Sequence, residues 1–121
     1  MQLDLIEIRA YNYFEYQRQV KQICEADLYT IGRILPNLLP IKITHQRLHK
    51  LNFFGGVEEE RGKLIKAYNN FIFRFEKTKG NGLVLTINNV IKLPHVIYIH
   101  QLQNIYYDVT GDVLKRTANS K

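Results

Sequence analysis

FIFRFEKTKGNGLVLTINNVIKL, Phe71 to Leu93, decides the fold. Phe71, Phe73 and Phe75 point one way while Arg74 and Glu76 point the other, the period-two pattern of a half-buried strand. The alternation runs cleanly from Leu64 onward. Lys77 to Gly82, KTKGNG, reads as a glycine-rich turn with positive charge at its tip. Leu83, Leu85 and Ile87 continue the apolar face on a second strand. Asn88-Asn89 suits another tight turn, and Val90 to Leu93 forms a third strand before Pro94. The result is an antiparallel meander with one apolar face, which needs a cover.

The cover stands just downstream. In YIHQLQNIYYDVTG, Tyr98 to Gly111, the residues Ile99, Leu102, Ile105, Tyr106 and Val109 recur at spacings of three and four and share a helix face. Gly111 follows where a left-handed C-cap is needed. His100, Gln103, Asn104 and Tyr107 make a polar side on this helix. They form either a recognition surface or, as we favour, internal ties that satisfy backbone groups of a neighbouring sheet and position the helix.

Upstream of the meander, Thr44 is a natural N-cap for a short helix with Leu48 and Leu51 on its apolar edge. Asn52 sits at the left-handed position after it, and Phe53 and Phe54 pack back onto the helix. Gly55-Gly56 and Glu58-Glu59-Glu60 read as an acidic surface loop. ILPNLLPIKI, with Pro36 and Pro40, reads as an extended connector. Residues 11–28 are ambiguous: Asn12 to Tyr16 and Gln19 to Cys24 fit a hairpin broken at Gln17-Arg18, yet Tyr13, Tyr16, Val20 and Ile23 also keep helical spacing.

The 121 residues allow one domain. Its blocks are N-terminal strands and connector (1–40), short helix and acidic loop (41–60), meander (61–94), and terminal helix with tail (95–121). No apolar run approaches the ~18 residues of a membrane span, and MQLDLIEIRA lacks the basic start of a signal peptide. Cys24 is the only cysteine, which excludes an internal disulfide and leaves a buried structural thiol as the expectation, with a cytoplasmic location.

The net charge of +6 is unevenly placed. Residues 1–60 hold seven Lys/Arg against eight Asp/Glu, and residues 61–121 hold ten against three. A basic C-terminal half favours anionic partners, although a merely solvated basic surface has the same composition.

Three stretches together resemble a family of small phage and mobile-element proteins. YIHQLQNIYYDVTGDVL is similar to that family's ending, YVHQLQNLYFALTGEEL. LPIKITHQRLHKLNFF is similar to its Pro-Ile-x-Leu-Thr-x-x-x-Leu-x-x-Leu-Gly-Phe segment, and IRAYNYFEYQRQVKQI to its start, a Leu-Arg-Ile-Gly-Asn stretch followed by a β hairpin. The resemblance implies strands rather than helix for residues 11–28. Ala10 and Tyr11 depart from the family's Ile-Gly, and Asn52 replaces a glycine. The family brings a fold and an origin, with no established activity to carry over.

Catalytic and metal patterns are weak. His45 and His49 have the spacing of two zinc ligands, but Gln46 stands where a metalloprotease needs its general base. KTKGNG lacks the spacing of a phosphate-binding loop, and Asp108 and Asp112 have no partner acid or base. Phe71, Phe73 and Phe75 read as core rather than as stacking platforms. The expectation is a non-enzyme without cofactor or metal: an α+β protein built on a small antiparallel meander covered by a C-terminal helix, with a short central helix and an N-terminal hairpin. Origin and size point to a counter-defence protein, an anti-CRISPR-like inhibitor that binds a host CRISPR effector or its guide-RNA complex, the RNA-targeting type VI class in particular. The rivals are a small module or phage regulator that binds RNA or DNA directly, and an assembly component that meets only copies of itself. The candidate binding residues are Arg61, Lys63, Lys66, Arg74, Lys77, Lys79 and Lys92 on and around the meander, with His100 and Tyr107 on the terminal helix.

Overall fold

The structure is a computed structural model and describes residues 8–55, 63–78 and 82–116. Two antiparallel sheets and four α-helices among these residues make it an α+β protein, as the patterning leads one to expect. The chain divides into two compact units, Met1–Lys42 with Tyr98–Val113, and Ile43–Ile97 with Leu114–Lys121.

The first unit begins with β1 (Tyr13–Tyr16) and β2 (Gln19–Gln22), paired antiparallel. Gln17 and Arg18 join them with φ of 53° and 65°, the two left-handed residues that match a hairpin's twist. The strand reading of this segment therefore holds, and the helix α1 (Glu25–Tyr29) starts only after it. The connector is not wholly extended: α2 (Ile31–Ile34) and a 3-10 turn (Leu35–Asn37) precede β3 (Leu38–Leu39). Pro36 lies inside that 3-10 turn, near its start, where its missing N–H and fixed φ do no harm. β3 pairs with β1, giving the order β2-β1-β3. Ile8, Phe14, Ile23 and Leu38 form the buried cluster, with Ile31, Ile34 and Leu35 packed against it. Thus the helical turns of the connector contribute core.

Cys24 is exposed, contrary to the expected buried thiol. Ile23 takes the inward place with no exposure, so the next residue turns outward as α1 starts. The thiol and the N–H of Cys24 both donate to Asp27 Oδ2, at 3.2 and 3.0 Å. These bonds, the backbone one foremost, hold the Asp27 carboxyl below its usual range.

The terminal helix α4 (Ile99–Thr110) also belongs to this unit and ends at Gly111, φ 76°, whose N–H donates to Tyr107 O. Its described ties run to the N-terminal segment. The Tyr13 N–H donates to Gln103 Oε1 (2.8 Å), while Gln103 Nε2 donates to Tyr11 O (2.9 Å). One buried amide thus serves both backbone groups, as a neighbouring strand would. Asn12 Nδ2 donates to Asn104 Oδ1, and Arg9 reaches both oxygens of Asp108 at 2.8 and 3.3 Å. The internal reading of the helix's polar side holds for Gln103, while Asn104 ties the helix to the Asn12 side chain instead of to backbone.

In the second unit, α3 (His45–Lys50) starts at Thr44, whose Oγ1 accepts from the Arg47 N–H. Asn52 takes φ 69° after it, as its place in the sequence requires. Phe53 is fully buried and meets Phe75 edge-on at 5.5 Å, whereas Phe54 is exposed and bridges its backbone to Ile65. The meander has four strands rather than three: β4 (Lys63–Tyr68), β5 (Phe71–Lys77), β6 (Leu83–Ile87) and β7 (Ile91–Leu93), in that order. Asn69, Asn88 and Asn89 supply positive φ at two of its turns. Leu64, Phe73, Phe75, Leu85 and Ile87 are buried along one face.

Candidate anion-binding face

Alternation and register together build the opposite face of the meander. Phe73, Phe75 and their partners Ile87 and Leu85 point inward, so Arg74 and Glu76 must share the other side with Thr86 and Val84. One row across the sheet reads Ile65, Arg74, Thr86, Lys92; the next reads Lys63, Glu76, Val84. The three strands β5, β6 and β7 hold a groove of about 320 Å³ on this side. Glu76, Lys77, Thr78, Thr86, Asn89 and Lys92 contribute its polar lining, and Val84 and Val90 its apolar lining.

Arg74 is fixed from beside the groove. Its Nη1 donates to Asn89 Oδ1 at 2.7 Å and stands 4.0 Å from Glu76 Oε1. Its Nε and the hydroxyl of its cross-strand neighbour Thr86 are buried with no hydrogen-bond partner. A buried guanidinium N–H left in this state is unfavourable, so the observed Arg74 pose is only partly satisfied. Arg74 and Lys92 share this face with the one carboxylate of Glu76 and leave it net positive, which suits phosphate or carboxylate groups of a partner.

The candidates read from the sequence divide accordingly. Arg74 and Lys92 share one row beside the groove, Lys77 lines its edge but pairs with Leu83 on the alternate side of β5, and Lys63 shares the face two residues along β4 from Ile65. Lys66 pairs with Phe73 and so lies on the opposite side of the sheet. Arg61 and Lys79 lie outside the described residues, as do Gly56 and the acidic run Glu58 to Glu60. His100 is in the first unit at 0% exposure, tilted against Phe14 (4.8 Å) and stacked with Tyr98 (6.0 Å), so it presents no contact surface. Tyr107, on the same helix, is half exposed.

Glu76, Thr86 and Asn89 were not among the candidates. Arg74–Thr86 and Glu76–Val84 are pairs placed symmetrically in sequence about position 80, so laying the two strands back from KTKGNG brings Thr86 opposite Arg74. Asn89 carries no such signal, because its role depends on the reach of the Arg74 side chain.

His45 and His49 do approach each other, with ring centroids 4.9 Å apart, and His49 also meets Phe54. Among the described residues, no three of His, Cys, Asp and Glu gather closely enough to hold a metal ion. No helix among them is long and apolar enough to cross a membrane. Compared with known proteins, the chain matches no family model, no curated protein and no solved structure.

Proposed function

We propose that the chain acts by binding, as a counter-defence protein that sets the polar face of the β4–β7 sheet against the nucleic-acid-bearing surface of a host RNA-guided nuclease in the host cytoplasm. What supports the anionic partner is one observation: Arg74 and Lys92, from two strands, share one row of the sheet beside a single groove. The counter-defence role rests on the origin that the resemblance to phage and mobile-element proteins implies and on the small size of the chain, and the type VI effector is the target class we choose to test.

The test is co-purification of the chain with type VI effectors, each prepared with and without guide RNA. Capture of the RNA-loaded form, lost in an Arg74→Glu/Lys92→Glu double variant, is the expected result. Failure to bind any effector in either state overturns the reading. The same groove also suits a free-standing nucleic-acid-binding module. A salt-sensitive gel shift on naked RNA or DNA, with no effector captured, decides for that alternative.

A further inference from the structure

The groove over β5–β7 is chemically mixed in a way that simple phosphate attraction does not explain. Arg74 and Lys92 suit a phosphate, but Glu76 lines the same groove and repels one. A structural account would have Glu76 neutralise Arg74, and the geometry argues against it. Their contact is a single approach at 4.0 Å, the outer limit of an ion pair, and it uses the Arg74 nitrogen already donated to Asn89 at 2.7 Å. The Glu76 side chain is 45% exposed, so its carboxylate oxygens remain open to donors from outside. Meanwhile Arg74 Nε and Thr86 Oγ1 lack partners, and a guanidinium in this state gains hydrogen bonds by turning toward an incoming oxyanion. Val84 and Val90 add an apolar surface to the same groove.

A ligand that fits must therefore offer an anion, a hydroxyl donor close to that anion, and an apolar face. A ribonucleotide unit carries all three. We propose that the groove seats one ribonucleotide of an RNA strand: the phosphate lies on Lys92 and a reoriented Arg74, the 2′-hydroxyl donates to the Glu76 carboxylate, and the sugar or base lies along Val84 and Val90. The consequence is discrimination by sugar, because deoxyribose has no donor for Glu76 and leaves the carboxylate facing a phosphate strand uncompensated. This inference rests on the proposed function, in that it takes nucleic acid to be the anion met by this face.

The test is fluorescence anisotropy with end-labelled oligouridine, the matching deoxyuridine DNA and 2′-O-methyl oligouridine of equal length. Native chain is compared with Glu76→Ala and Lys92→Gln, both at exposed or half-exposed positions. RNA should bind about tenfold more tightly than DNA, the scale of one hydrogen bond to a charged group, and 2′-O-methyl RNA should fall to the DNA level. Glu76→Ala should erase the difference by tightening DNA binding, while Lys92→Gln should weaken RNA and DNA alike. Equal affinity of the native chain for RNA and DNA, or a preference that survives Glu76→Ala, overturns the sugar assignment and leaves anion binding standing. If none of the oligonucleotides binds but RNA-loaded effector is still captured, the ribonucleotide site is wrong and the inhibitor reading stands. If the effector is not captured either, both fall.

Discussion

Tyr11 shows how surrounding bonds hold a backbone angle that a side chain disfavours. It holds φ at 73°, a region in which a side chain is strained. Its carbonyl accepts from both Gln103 Nε2 and Gln22 Nε2, and its N–H donates to Ile23 O, so the surrounding bonds hold it there. Comparing Tyr11→Gly with Tyr11→Ala isolates the backbone, because both variants lack the ring. The glycine variant should be more stable than the alanine variant by about 1 kcal/mol in urea denaturation, the scale of a left-handed penalty for a residue with Cβ. Equal stability of the two would show that the left-handed angle is not held in solution. Cys24 teaches the complementary lesson. Its apolar neighbours suggested burial, but an exposed position follows from being next to Ile23 in a period-two chain.

At the scale of elements, short-range signals were readable and long-range ones were not. The hairpin break at Gln17-Arg18, the cap at Thr44, the left-handed Asn52 and the stop at Gly111 each depend on one or two residues, and all four appear where their chemistry requires. The helical turns at Ile31–Asn37 escaped notice because two prolines dominate that stretch, and a proline near the start of a 3-10 turn is compatible with it. The partner of α4 is a tertiary fact: Gln103 and Tyr13 are 90 residues apart, and no local pattern joins them. The Arg9–Asp108 fork is a second such tie, with a readable pH signature. The hydrogen bond from Arg9 holds the Asp108 carboxyl below its usual range, so its stabilisation is fully present above the unfolded value of about 3.9. It disappears as pH falls through the folded value. Both side chains are about half exposed, so the contribution is at most roughly 1 kcal/mol. Asp108→Asn should therefore lower stability near pH 6 and match the native chain near pH 2, read from urea midpoints across that range. Asp27 titrates in both proteins, so it cancels in the comparison. A deficit that is constant with pH would mean that Asp108 acts through packing and not through its charge.

For the molecule as a whole, the question is whether net charge or placed charge governs association. The chain carries +6, and its positive excess lies in residues 61–121. A general attraction to polyanions needs only that total, whereas the groove needs cations at stated positions. Two double variants separate these cases while holding the total equal. Arg74→Gln/Lys92→Gln removes the two cations of the groove face, and Lys115→Gln/Arg116→Gln removes two that are not part of the groove lining; each leaves +4. For a single-stranded ligand, each phosphate contact adds about 0.7 to the slope of log affinity against log salt. The groove variant should therefore lose about 1.4 from that slope and the tail variant almost nothing, measured by anisotropy titrations between low and physiological salt. Equal losses from both would assign association to the overall field. A loss confined to the groove variant locates the contact on β5 and β7, where the register and the three-residue turn 88–90 bring Lys92 into one row with Thr86 and Arg74.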